Sequence, residues 1–464
     1  MFRWLLILSM LLVAVTPLKA EKQSLRVGLT GKYPPFNYFD PNGKLTGFDV
    51  EMAEAICAEI ERKCVFVPLA WDGILAALLA GRIDAIIGSM AITPEREKKV
   101  LFSQPYYESG AQLLASSTAP PATDEGFRIG VTLGTTYKTF AEKAFPKATV
   151  RSYKGDVEVL QDIVSGRLDA IVTDKLVGLY MARSMNADLV PVGEPLYLER
   201  MGIPVGPGET DLLNRINQSI TKIRSSKAYP ALFTKYFGKA SHSASSSYSL
   251  EASLSLMARA LGTTVGLSAQ GIFLGCLVSI LVASLMLFSP RSLAVGVAFI
   301  VDFVRATPFM VQLFAIYFGL PSLGLRISPW ASAVLAIALH SAAYLAEVIK
   351  VAYQSVPLNQ HYAARTLGLS RRQAVVSIIS PQMLPVLVAP TLNTVVAMIK
   401  DSAIVSVISV HELMMQTQEL ISATFQPMEF YLLAAFLYFV VTYPLLLLGR
   451  GLEKTFRRKG LLNG

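Results

Sequence analysis

The sequence predicts a two-lobed α/β clamshell followed by an all-α membrane domain of about five transmembrane helices. Three observations carry this. Residues 1–20 and 262–450 hold the long apolar runs, whereas 21–250 has charges throughout. A segment GRIDAII at 81–87 recurs as GRLDAIV at 166–172, each time after a helical pattern, which implies two similar lobes. In the C-terminal half, apolar stretches at 262–288, 294–320, 329–353, 386–410 and 428–449 are each long enough to cross a bilayer.

Composition narrows the function classes. Of 464 residues, 53% are hydrophobic, and the formal net charge is +9. From Glu251 onward there are 14 Lys/Arg against 8 Asp/Glu, so most of the excess lies in the membrane half and reports topology before nucleic-acid binding. No zinc-type Cys/His cluster or aromatic-basic nucleic-acid motif is present in the sequence, and His242, His340, His361 and His411 join no nucleophile motif, which argues against an enzyme.

The N-terminus has Arg3, an apolar run over 4–15 and small residues before Ala20, the plan of a signal peptide over 1–20. Cleavage after Ala20 and retention as an anchor are both compatible with Leu18. Either way the next segment is exported. There, Cys57 and Cys64 can form a disulfide in an oxidising compartment or remain two buried thiols. Cys276 stands alone in an apolar run and reads as packing.

Taken in order, 25–29 reads as a strand, 49–60 as a helix with Val50, Ala53, Ile56, Cys57 and Ile60 on one face, 65–67 as a strand, 73–80 as a helix and 84–88 as a strand. Such α/β units bind ligands at the carboxyl ends of their strands. Just past the repeats lie 89–96 and Thr173-Asp174. Arg96 suits a carboxylate, through two parallel hydrogen bonds, and Asp174 suits an ammonium. The stretch 132–136 follows a strand at 128–131 and opens a helix, so its N–H groups and hydroxyls predict an anion seat. Tyr33, Phe36 and Trp71 supply aromatic walls. Each residue also has a plainer reading: Arg96 a surface charge, Asp174 a helix cap, the aromatics core.

Residues 24–240 resemble the periplasmic amino-acid-binding proteins of ABC importers, in the glutamine, histidine and arginine binder group. The matching stretches are LRVGL, YPPFNY, GKLTGFDVEMAEAI, ITPEREKKVLFSQPYY, GTTYKTF, GRLDAIVTD and YFG. The resemblance implies that Arg96 holds the ligand carboxylate with Ser89 and Thr136, that Asp174 holds its ammonium, and that Tyr33 and Trp71 sandwich its side chain. It further implies crossovers near 105–110 and 197–201, giving lobe one as 24–105 and 202–240 and lobe two as 111–196 within a binding domain of 21–240. The spacing of Cys57 and Cys64 resembles a disulfide in binders of cationic amino acids. Thr30, however, stands where such binders commonly place an acid, which favours a polar ligand such as glutamine.

The serine-rich stretch 241–254 reads as a linker before a membrane domain at 255–464. Beginning outside, five spans place Arg291, the loop 360–385 and the tail Lys454, Arg457, Arg458 and Lys459 in the cytoplasm, in agreement with the positive-inside rule. Asp302, Arg305, Glu347, Lys400 and Asp401 fall within spans, so they are expected to line a membrane pathway or form ion pairs. Pro308 is expected to break its helix locally.

VRATPFMVQLFAIYFGLP, HSAAYLAEVIKVAYQSVP, AARTLGLSRRQAVVSIISPQMLP and IKDSAIVSVISVHEL extend the resemblance to the permease subunit of the same importers. That family docks on its ATPase through a Glu-Ala-Ala motif followed four residues later by Gly. Here the motif reads Tyr362, Ala363, Ala364 and Gly368, without the glutamate. No stretch reads GxxxxGK[ST], so ATP and Mg are expected on a separate cytoplasmic ABC ATPase, with this chain a non-enzymatic homodimeric transport subunit for a polar L-amino acid. The resemblance places it in a bacterial inner membrane. An amino-acid-gated channel would need a pore filter, and a transmembrane sensor a cytoplasmic output domain; the sequence shows neither.

Overall fold

The computed structural model describes residues 24–40, 42–117, 119, 125–185, 187–237, 250–325, 327–424 and 426–458. The signal peptide expected over 1–20, His242, Lys459 and most of the 241–254 linker lie outside the described residues. The chain divides into two compact units, one mainly from residues before Met257 and one mainly from 257–415 and 431–458.

The first unit holds two sheets built on one plan. In the first lobe, Ser24–Leu29 pairs in parallel with Lys63–Pro68 on one side and Ala85–Ile86 on the other. Pro204–Val205 and Leu101–Phe102 complete five strands. In the second, Arg128–Thr132 lies between parallel partners Thr149–Tyr153 and Ala170–Asp174. Its six strands are completed by Tyr107–Ser116, Leu189–Gly202 and Met90–Ala91. Alternate residues of these strands are packed into the core: Leu25, Val27, Leu29, Ile129 and Val131 are all 0% exposed.

The sequence repeat has a physical purpose. Asp84 accepts from the backbone N, Nε and Nη2 of Arg26 at 2.8, 3.0 and 2.6 Å. Asp169 accepts from the same atoms of Arg128 at 2.8, 2.9 and 2.7 Å. Each aspartate thus pins the arginine near the start of the strand that lies between its lobe's two parallel partners, through a forked, charge-assisted pair.

Both crossovers are ends of one antiparallel ribbon: Tyr107–Ser116 runs against Leu189–Gly202 from Tyr107 opposite Met201 to Ser116 opposite Leu189, with an irregularity between Val192 and Tyr197. Cys57 on the helix Phe48–Glu59 is bonded to Cys64 on Lys63–Pro68, closing the turn between them.

In the second unit, four helices are long and apolar enough to cross a membrane: Glu251–Phe288, Pro329–Ser355, Arg371–Ile408 and Pro427–Arg458. The count is up to five if a bent pair is taken as one span. The stretch 294–320, expected as a single crossing, is that pair: Arg291–Ala306 and Phe309–Gly319 meet at 107°. Pro308 lacks an N–H and drives Thr307 into the extended region, with φ −101° and ψ 141°. Gln312 repairs the break, its amide donating to the carbonyls of Val304 and Thr307 at 2.6 and 3.1 Å while its oxygen lies 3.0 Å from His340 Nδ1.

Two boundaries shift. The helix Leu250–Phe288 starts inside the stretch assigned to the linker. The loop 360–385 is mostly helical, because Ser370 and Gln373 form a capping box that starts Arg371–Ala374, and the helix continues through a wider π turn into Ser380–Asp401.

Candidate functional site

The ligand cleft expected between the lobes is built at the carboxyl ends of their strands. Thr93 accepts from Arg96 N at 3.3 Å and so caps the short helix Pro94–Glu97, which turns the Arg96 side chain back over the loop. Its Nη1 donates to Ala91 O at 2.8 Å, and its Nη2 reaches the other lobe, donating to Gly134 O at 3.3 Å. The guanidinium lies 5.9 Å from the centre of the Trp71 ring, whose Nε1 donates to the same Gly134 carbonyl at 3.3 Å. Gly134 adopts φ +78°, a left-handed turn that aims this carbonyl at the first lobe. The lobes are therefore closed on one another at Gly134, and Arg96 is half-buried, with burial pulling its pKa below the usual value.

Asp174 is 2% exposed and serves as the helix cap of its plainer reading. One carboxylate oxygen accepts from Leu176 N and Val177 N at 2.8 and 3.3 Å, capping the helix Lys175–Ser184. The other lies 3.5 Å from the Tyr107 hydroxyl. Burial pushes its pKa up to about 6. Tyr33 stacks on Phe36 with ring centroids 5.7 Å apart, shares a hydrogen bond with Tyr137, and senses the charge of Asp174.

Several expectations are corrected. Ser89 sits at φ +53°, 8% exposed, and its hydroxyl donates to the Asp49 carboxylate at 3.1 Å. Phe36 is 0% exposed and packs with Phe48, Tyr107 and Phe237, making it core and not a wall. In the 132–136 turn, the hydroxyl of Thr132 donates to Asp156 and that of Thr135 to Thr132 O at 2.6 Å, so neither is left for an anion. The Thr136 hydroxyl meets Tyr197 Oη at 2.8 Å and the Glu199 carboxylate.

Two residues were missed. Asp49 is 0% exposed and accepts from Asn37 Nδ2 at 2.8 Å and Tyr106 Oη at 2.6 Å as well as from Ser89, tying the Ser89 turn to the crossover strand. It shares the face of Ala53, Ile56 and Ile60 by helical spacing, and a carboxylate on an apolar face was the available signal. Glu199, 7% exposed, shares the inner side of its strand with Met201, while the preceding Leu198 is 79% exposed and the intervening Arg200 is exposed too. Period-two alternation was legible there, with polarity inverted.

In the membrane unit, Arg305 bridges Asp302 at 3.6 Å and Glu347 at 4.0 Å, and Lys350 reaches Glu347 at 3.1 Å. This chain of charges links Arg291–Ala306 to Pro329–Ser355, a packing role. Lys400 is exposed and Asp401 half-buried. On the helix Leu358–Thr366, Ala364 is 0% exposed while Tyr362 is 60% exposed. Gly368 follows at φ +72° and reverses the chain after that helix.

Comparison with known proteins divides the chain at the same place. Residues 25–239 match the family described as bacterial extracellular solute-binding proteins, family 3, and residues 271–458 match the binding-protein-dependent transport system inner membrane component. The L-cystine-binding protein TcyJ of Escherichia coli K12 is 37% identical over 223 residues, covering 47% of this chain and 84% of its own. The L-arginine-binding protein of Pseudomonas aeruginosa is 34% identical over 234 residues, covering 48% and 90%. Among solved structures, an ancestral arginine-binding protein bound to glutamine is 36% identical, covering 47% of this chain and 99% of that one, with a TM-score of 0.44.

Proposed function

Because the chain belongs to the family 3 bacterial extracellular solute-binding proteins, joined here to a binding-protein-dependent inner membrane transport component, we propose that it captures a polar L-amino acid and conducts it inward. The relatives that bind cystine and arginine support this ligand class. One observation carries the reading: Arg96 of one lobe donates across to Gly134 O of the other at 3.3 Å, and Asp174 of that other lobe, 2% exposed, lies like Arg96 within reach of the Glu199 charge, so opposite charges from the two lobes face one cleft. That pairing complements a zwitterion.

In this reading Arg96 holds the α-carboxylate with Thr136, the outer oxygen of Asp174 holds the α-ammonium, and Tyr33 and Trp71 enclose the side chain. The loop Ser89 to Ala91 supplies positioned backbone. The binding domain spans 21–240, with lobe one at 24–105 and 202–240 and lobe two at 111–196. The membrane domain, 255–464, sits in a bacterial inner membrane as a homodimer with the binding domain on the periplasmic or extracellular side. Energy comes from ATP and Mg on a separate cytoplasmic ABC ATPase that docks on Tyr362, Ala363, Ala364 and Gly368. Closure over the ligand and ATP binding then alternate the access of the membrane path.

The test is calorimetric titration of the full-length chain in nanodiscs with the twenty amino acids. Binding of one or a few polar members is the expected result. Failure of all twenty to bind sinks the reading.

A further inference from the structure

We infer that Glu199 receives a second cationic nitrogen of the ligand, beyond its α-ammonium, and so selects amino acids that carry one. The inference rests on the reading of the cleft as an amino-acid site. Glu199 enters from the crossover strand Leu189–Gly202 and is 7% exposed. It takes hydrogen bonds from the hydroxyls of Thr136, Tyr197 and Tyr137, and Arg96 is the cation that acts on it.

The charges of these cleft residues do not balance for a simple zwitterion. Asp174 and Glu199 stand against Arg96, and the nearby buried Asp156, whose partners are the hydroxyls of Thr132 and Thr173, adds to the acidic excess. A ligand carboxylate that occupies Arg96 cancels the charge that Glu199 relied on, and its α-ammonium answers only Asp174. Glu199 is then a buried carboxylate with hydroxyl partners alone, a costly state unless the ligand brings another cation. A lysine-like ammonium or an arginine-like guanidinium supplies it. Thr30 offers no acid: its hydroxyl donates to Asn37 Oδ1 at 2.8 Å. The acid therefore arrives from the hinge strand.

The decisive comparison uses the unmodified full-length chain in nanodiscs with L-arginine and L-citrulline, which share a shape but differ in charge. Arginine should bind about 10- to 100-fold more tightly, the range of a hydrogen bond to a charged group. Equal or tighter binding of citrulline or glutamine overturns the inference while leaving the amino-acid reading intact; failure of every ligand overturns that reading instead. L-Cystine forms a further arm: its second ammonium comes with a second carboxylate and adds no net charge, so tight cystine with weak arginine overturns the inference. In Glu199→Gln, the arginine-to-citrulline ratio should collapse toward one. A uniform loss of both affinities with the ratio preserved makes Glu199 an anchor for Thr136 only, which refutes the inference. If that variant does not fold, the comparison in the unmodified chain decides alone.

Discussion

Arg96 and Gly134 meet across the two lobes, the guanidinium Nη2 donating to the glycine carbonyl at 3.3 Å. The same carbonyl accepts from Trp71. The group proposed to hold the ligand carboxylate is thus also a latch between lobes, so binding and closure share one side chain.

Replacing Arg96 with alanine should abolish measurable amino-acid binding, since losing one partner of a charge-assisted pair in a closed cleft costs about 2–5 kcal/mol. Arg96→Lys should bind weakly, because an ammonium lacks the forked geometry. Titration calorimetry on the full chain checks both; near-native affinity in the alanine variant removes Arg96 from the site.

Ligand affinity should rise with pH between about 5 and 7. Asp174, pushed up to about 6 from an ordinary 3.8, must be ionised to accept an ammonium. Without ligand the linkage runs the other way. The folded carboxyl holds its proton more tightly than the unfolded one, so its stabilising contribution is complete below about 4 and declines as pH rises to about 6. Asp174→Asn should flatten both profiles. A pH-independent affinity in the parent protein contradicts the role given to Asp174.

Gly368→Asp should uncouple ligand-stimulated ATP hydrolysis from uptake in proteoliposomes reconstituted with the partner ATPase, leaving ligand affinity intact. The position has open space around its Cβ, so sterics do not forbid the variant. The φ of +72° makes a side chain cost about 1–2 kcal/mol locally. Unchanged coupled uptake would remove the turn from the docking surface.

Gln312→Leu should lower the thermal unfolding midpoint in detergent, because the carbonyls of Val304 and Thr307 lose their amide donor at the helix break. An unsatisfied buried polar group costs about 1–3 kcal/mol. A midpoint equal to that of the parent protein would show that other donors fill the break.

Much of this was legible before any coordinates. The GRIDAII and GRLDAIV repeat announced two lobes, and its aspartates prove to make matching clamps on Arg26 and Arg128. Pro308 announced a break, since a missing N–H acts locally wherever it occurs. Its angle was not legible, because 107° depends on what packs on both halves. The partners of the Ser89, Thr132 and Thr135 hydroxyls were not legible for a related reason. A hydroxyl beside a strand end suits a ligand or a neighbouring carboxylate equally well, and which it finds depends on Asp49 or Asp156 arriving from elsewhere in the chain.

The sequence by itself determined the order of modules, the helix and strand periods, the broken span and the identity of Arg96 and Asp174 as candidates, because these rest on composition and short-range spacing. Only the tertiary structure decided that one oxygen of Asp174 is spent on a helix cap, that the Ser89 hydroxyl faces inward, and that Glu199 enters the cleft. The reason is that burial and charge pairing join residues such as Arg96, Thr136 and Glu199 that are far apart along the chain, and no local pattern encodes which of them will meet.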